Sequence, residues 1–288
     1  MVRMRQTRFF LIFCLALGCQ LFSFAQNNQT KEMKYLNQEG MTVGSRYAIE
    51  QAGDGYYRKN VTYGSFEHYL LNLPMKPIGY KTHFHDGEEK SFDVQIGVLD
   101  VKIKNSTNVC SAEPAIKLRA EYLYSSKLYG RIHFNFNNGF NCTYAKWAAG
   151  FRVNDSKNGW DHTSEQDYSR KNFLAYLDVV FQNATVPSLA REMSKVELKD
   201  VKAGDLLIQS GYPNHMAIVL DVLYNDKNNT IKIMLAQGFS PAQDIEVLKN
   251  YQDDCSPWFT ISLDSDENTE ILTPQWTFYV KDFKRFTN

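Results

Sequence analysis

The sequence has no excess of charge of either sign: 32 lysines and arginines stand against 32 aspartates and glutamates in 288 residues. A nucleic-acid surface is basic and patchy, so this balance argues against that class of partner. Cysteine is scarce, five in all, and Cys14 and Cys19 fall in an apolar N-terminal stretch. No internal repeat or low-complexity tract occurs, which excludes solenoids and fibrous arrays. Nor is there an apolar run of the ~20 residues that a membrane span needs. What is present, 43% hydrophobic residues over this length, suits one elaborated domain, expected over residues 42–288.

The N-terminus carries Arg3, Arg5 and Arg8, then FFLIFCLALGCQLF, then Ser23-Phe24-Ala25. A basic region, a short apolar run and small residues at minus three and minus one form a secretory signal, so residues 1–25 are expected to be cleaved before Gln26. The expected compartment is the periplasm or cell envelope of a gram-negative bacterium, with lipidation at Cys19 in Ala16-Leu17-Gly18-Cys19 as the alternative. Loss of the signal leaves about three units of negative charge and three cysteines, Cys110, Cys142 and Cys255. In an oxidising compartment that odd count implies one disulfide and one free thiol, with the pairing open. Residues 26–41, polar and without period, read as a flexible leader.

The chain is organised around residues 204–243, GDLLIQSGYPNHMAIVLDVLYNDKNNTIKIMLAQGFSPAQ. Two period-2 apolar runs flank the turn-forming Asn225, Asp226, Lys227, Asn228 and Asn229, which predicts a β-hairpin fed by a third strand at Asp205 to Gln209. His215, Ala217, Val219 and Asp221 are expected on one face, with Gln237 level with Ala217 or close by. A histidine at a strand entrance with an amide on the next strand is the arrangement that a general base and its orienting partner need.

Upstream, Ser65 can cap a short helix through Leu71. Ile78 to Phe84 and Val94 to Ile103 read as a hairpin turning at Asp86-Gly87. His83 and His85 at its tip lack a third ligand at short spacing, so no metal site is expected. In NVCSAEPAIKLRAEYLY the helical spacing of Ala115, Leu118 and Tyr122, with Pro114 confined to the first turn, starts a helix near Ser111 to Glu113. Cys110 therefore stands at or before a helix N-terminus, where the dipole and free N–H groups favour a thiolate. The competing reading is a buried or disulfide-bonded cysteine. Further strands are expected at Ile132 to Phe136 and at Trp276 to Val280, with helices at Tyr168 to Gln182 and Thr185 to Met193. Asn154 to Asp167 and Ser262 to Glu270 read as loops. Trp147, Trp258 and Trp276 read as core packing rather than as a groove lining.

The order Cys110, Gly204-Asp205, Asn214-His215, Gln237 resembles the NlpC-type papain-like cysteine peptidases. The resemblance implies an α+β fold, a central antiparallel sheet packed against a nucleophile-bearing helix, with an N-terminal hairpin extension and a long insertion. It implies Cys110 as nucleophile, His215 as base and acid, Gln237 as orienter, no cofactor or metal, and a peptide or peptidoglycan-type substrate. The alternative is a non-catalytic envelope protein that uses the same cleft for a wall fragment or protein partner.

A closer likeness covers most of the mature chain. FEHYLLNLPMKPIGYKTHFHDG, IKLRAEYLY, KWAAGFRV, VPSLAREM, GDLLIQSGYPNHMAIVLDV, LAQGFSPAQDIEVL, SPWF and TPQWTF, in this order, resemble the domain of unknown function family 4846. That family places its cysteine six residues before the first basic residue of its RLRAEY-like helix, whereas Cys110 stands seven before Lys117. A gapless match therefore sets Ser111 at that position, and Cys110 and Ser111 both stand as candidates.

Overall fold

The computed structural model describes residues 42–45, 52–102, 111–254 and 256–288. In chain order come helix α1 (Phe66–Leu71), strand β1 (Gln95–Val98) and helix α2 (Glu113–Ser125). Two small hairpins follow, β2 (His133–Asn135) with β3 (Asn141–Thr143), and, after helix α3 (Tyr144–Ala148), β4 (Phe151–Val153) with β5 (Trp160–His162). Helices α4 (Arg170–Asn183) and α5 (Val186–Glu192) then lead to β6 (Ser194–Lys195), β7 (Leu206–Gln209), β8 (His215–Asn225), β9 (Thr230–Gln237) and β10 (Glu246–Leu248). The chain closes with β11 (Trp258–Ser262), β12 (Glu270–Leu272), β13 (Thr277–Tyr279) and β14 (Phe283–Arg285).

The fold is α+β, built on an antiparallel sheet in the order β1-β10-β9-β8-β7-β14-β6, with β11 sharing the β9 edge that β10 occupies. Its centre is the hairpin that the apolar alternation predicts. All of β8 is buried, because both sheet faces are covered, which is why the run MAIVLDVLY is almost continuously apolar. One face carries the larger cluster, with Met216, Ile218, Leu220, Met234 and Ala236 packed with Ala115, Ile116 and Leu118 of α2 and with the helices between β3 and β6. The other carries Ala217, Val219, Leu235 and Leu248 under Phe278 and Trp276 of the β12–β13 hairpin. The stretch between α2 and β7, expected as an insertion, thus completes the core on the α2 face.

Local chemistry explains the ends. Ser65 Oγ accepts the His68 N–H and caps α1. Pro114 sits in the first turn of α2, where its missing N–H costs no hydrogen bond. The β8–β9 turn closes through Asn225, whose Oδ1 accepts the Asn228 N–H, and through Asn229 at a φ of 50°, a left-handed conformation that asparagine tolerates.

Several expectations need correction. A β-bulge between Val219 and Asp221 shifts the β8 register, so Asp221 leaves the face of His215, Ala217 and Val219, and its carboxylate takes the Arg58 guanidinium. The turn at Asp86-Gly87 forms, with His83 bridging Glu89, but the return does not run on through Val94: Phe84 bridges Gln243, and β1 pairs with β10 instead. Asn154 to Asp167, read as loop, contributes β5, and Glu270 opens β12 rather than ending a loop. The strand expected last, at Trp276 to Val280, is followed by β14, which pairs with both β7 and β6.

Candidate functional site

Hairpin register brings the two strand-borne candidates together. His215 opens β8, Gln237 ends β9, and Ile218 stands opposite Ala236. Period-2 alternation then turns both side chains to the β12–β13 face. The His215 Nε2 lies 2.8 Å from Gln237 Oε1. Gln237 Nε2 donates to Glu246 Oε1 at 2.8 Å and to Gln275 Oε1 at 2.9 Å. Lys90 Nζ, in turn, donates to the same Glu246 oxygen at 2.7 Å and to Gln275 Oε1 at 3.2 Å, and Thr82 Oγ1 donates to Glu246 Oε2 at 3.1 Å.

Aromatic rings enclose the imidazole. Trp276, Phe239 and Phe278 have ring centroids 5.0, 5.5 and 5.9 Å from it, and His215 is 2% exposed. Trp276 is held by its Nε1–H to Gln209 Oε1, at 2.8 Å, on the strand that pairs with His215. Burial pushes the His215 pKa below the ordinary histidine value, while the Gln237 hydrogen bond and the Glu246 charge pull it the other way. The ring is thus neutral at neutral pH, the form a general base requires.

The nucleophile candidates are placed differently. Cys110 lies outside the described residues, whereas Ser111 is buried immediately ahead of α2. Helix α2 packs on the face of the sheet opposite the His215 ring, and its first turn meets the chain where β9 ends. Gly238, the residue after Gln237, packs so closely on α2 that an added Cβ would stand 2.7 Å from Pro114 Cγ. The start of the helix and the residue that follows Gln237 are therefore in contact at the end of β9.

Cys142 is a free thiol, wholly buried in β3, and burial pushes its pKa up to about 12. It supplies an unpaired thiol, as the odd count expects of one of the three cysteines. Cys255 lies outside the described residues. Among the described residues no group of three or more His, Cys, Asp or Glu could hold a metal, and His83 contacts Asp244. No helix among them is long and apolar enough to cross a membrane.

A family model, described as a domain of unknown function (4846), matches residues 45–285. The chain belongs to this family. The match spans every element from α1 to β14, so His215, Gln237, Glu246, Gln275 and Lys90 all lie within the family 4846 domain. No curated protein and no solved structure matches the chain.

Sequence reasoning missed Glu246, Lys90, Gln275 and Thr82. A carboxylate inside the apolar run DIEVL was the one signal on offer, since a charge in a buried strand demands a partner. Lys90, in GEEK, looks like any solvated loop lysine.

Proposed function

We propose that this family 4846 chain is an exported cell-envelope hydrolase of papain-like type, acting on peptide or isopeptide bonds such as those of peptidoglycan stems. His215 serves as base and acid, Gln237 orients it, and the attacking group comes from the segment that leads into α2, Cys110 or, in the gapless register, Ser111. The observation that carries this reading is the His215–Gln237 hydrogen bond: a neutral imidazole at a strand entrance, tied through one nitrogen to a fixed amide, leaves the other nitrogen for a proton taken from a nucleophile. The closeness of Gly238 and Pro114 supports it by bringing the helix start to the end of the strand that carries Gln237. Substrate class rests on the NlpC-type resemblance together with the expected export signal.

A second reading is favoured by the burial of the His215 ring under Trp276 and Phe278, and by Cys142 filling the role of free thiol. In it the protein binds a wall fragment or partner without chemistry.

Labelling with iodoacetamide from pH 5 to 9 separates them. Buried Cys142 stays silent in the native protein, so alkylation reports on the other thiols. The hydrolase reading expects Cys110 to react below neutral pH and to lose that reactivity in His215→Ala. If serine is the nucleophile, a fluorophosphonate probe labels the protein and Ser111→Ala abolishes the labelling. A disulfide at Cys110 together with no fluorophosphonate adduct would establish the binding reading.

A further inference from the structure

The ion pair beneath Gln237 has no evident stabilising purpose. The Lys90 and Glu246 side chains are 3% and 0% exposed, and burying both charges costs about what their attraction returns, so an apolar pair of similar volume would serve a core at least as well. Its position does have a consequence for the ring. An ammonium can only donate, so the oxygens of Glu246 and Gln275 that face Lys90 must accept. Those same two oxygens face Gln237, so the side of its amide turned to them must be the NH2 group, and its Oε1 must face His215. An acceptor there requires that Nε2 carry the proton of the neutral imidazole. The Nδ1 nitrogen is left with the lone pair.

We propose that Lys90 and Glu246 are positioning residues that set the tautomer of His215, Gln275 completing the relay. The relay runs through donors and acceptors alone: reversing the Gln237 amide would set its carbonyl oxygen against a carboxylate and a second carbonyl, deep in the protein, where such a clash costs most. Phe239 packs the assembly, with the Lys90 ammonium over its ring at 5.6 Å and the imidazole beside it. In the hydrolase reading, on which the purpose of the relay rests, the lone pair at Nδ1 is the one that takes the nucleophile's proton.

Tautomers are read directly from the long-range 15N–1H correlation pattern of a histidine ring, in 15N-labelled protein at pH 7.5, with the signal assigned by its loss in His215→Gln. The expected pattern for His215 is the pure Nε2–H form. In Lys90→Met/Glu246→Met, which removes both charges at similar volume, the Gln237 and Gln275 amides are free to turn, and the pattern is expected to become a mixture of tautomers. An Nδ1–H pattern in the wild-type protein overturns the proposal, as does an unchanged Nε2–H pattern in a folded double variant. Should the double variant not fold, the wild-type spectrum still decides. The measurement needs no turnover: a correct tautomer with no reactive nucleophile would retire the hydrolase reading and leave the relay, while an Nδ1–H ring in a protein whose nucleophile is labelled would retire the relay alone.

Discussion

At the scale of single residues, burial sets the behaviour of the ionisable groups. Glu192, at the end of α5, accepts the Asn135 N–H at 2.9 Å, and burial pushes its pKa from 4.5 up to about 7 against that hydrogen bond and Arg191. A carboxyl raised in the folded state keeps a proton that the unfolded chain has released, so stability is lost as pH rises from about 4.5 to about 7. Glu192→Gln keeps the accepting oxygen without the charge. Urea denaturation is expected to show no gain below pH 4.5 and a gain of about 1–3 kcal/mol above pH 7. An equal difference at both ends would refute the charge argument. His215 works with the opposite sign: its lowered pKa means that stability falls as pH drops below the ordinary histidine value of 6.5. The residue type at 215 was legible as a candidate base from its place at the mouth of a strand. Its surroundings were not, because Trp276, Phe278 and Glu246 come from segments whose spacing carries no trace of that meeting. Glu192 was invisible for a related reason, since a helical glutamate looks solvated until another element covers it.

Among elements, the contact that matters most for the site is the meeting of α2 with the end of β9. Gly238 permits it by having no side chain. In Gly238→Ala the new methyl group would stand 2.7 Å from Pro114 Cγ and 3.2 Å from its Cδ, and a pyrrolidine ring yields little. The expected cost is about 1–3 kcal/mol, the usual range for overpacking. Adding Pro114→Ala should restore most of it, whereas a loss that persists in the double variant would mean that Gly238 is needed for its backbone. Both partners could be read from the sequence as punctuation, a proline in the first helical turn and a glycine after a strand. That they touch could not. The pairing of β8 with β9 and the Ser65 cap were legible, because period-2 alternation and capping chemistry act between near neighbours. The bulge at Val219–Asp221 was not: it delivers Asp221 to Arg58, 163 residues away in the chain, a partner that no local pattern announces.

For the molecule as a whole, the C-terminal strand closes the sheet. Arg285 of β14 pairs with Asp205, just before β7, through Nε at 2.6 Å and a second nitrogen at 2.8 Å, and Asp205 is fully buried. Removing one partner strands a charge in the interior, so Arg285→Met is expected to cost about 3–5 kcal/mol in equilibrium unfolding. The double variant Arg285→Met/Asp205→Asn removes the charge and keeps an oxygen for the Lys202 N–H, and should lose much less. Similar losses in both would place the importance of Arg285 in packing. By itself the sequence determined the elements whose causes are local: the central hairpin and its pairing, the proline-started helix, the glycine turns and the family. Tertiary structure alone decided which distant side chains share an interior: Lys90 with Glu246, Arg285 with Asp205, the rings around His215. Alternation, capping and turn preference are settled by residues a few places apart, whereas the partner of a buried charge is chosen by the packing of the whole chain.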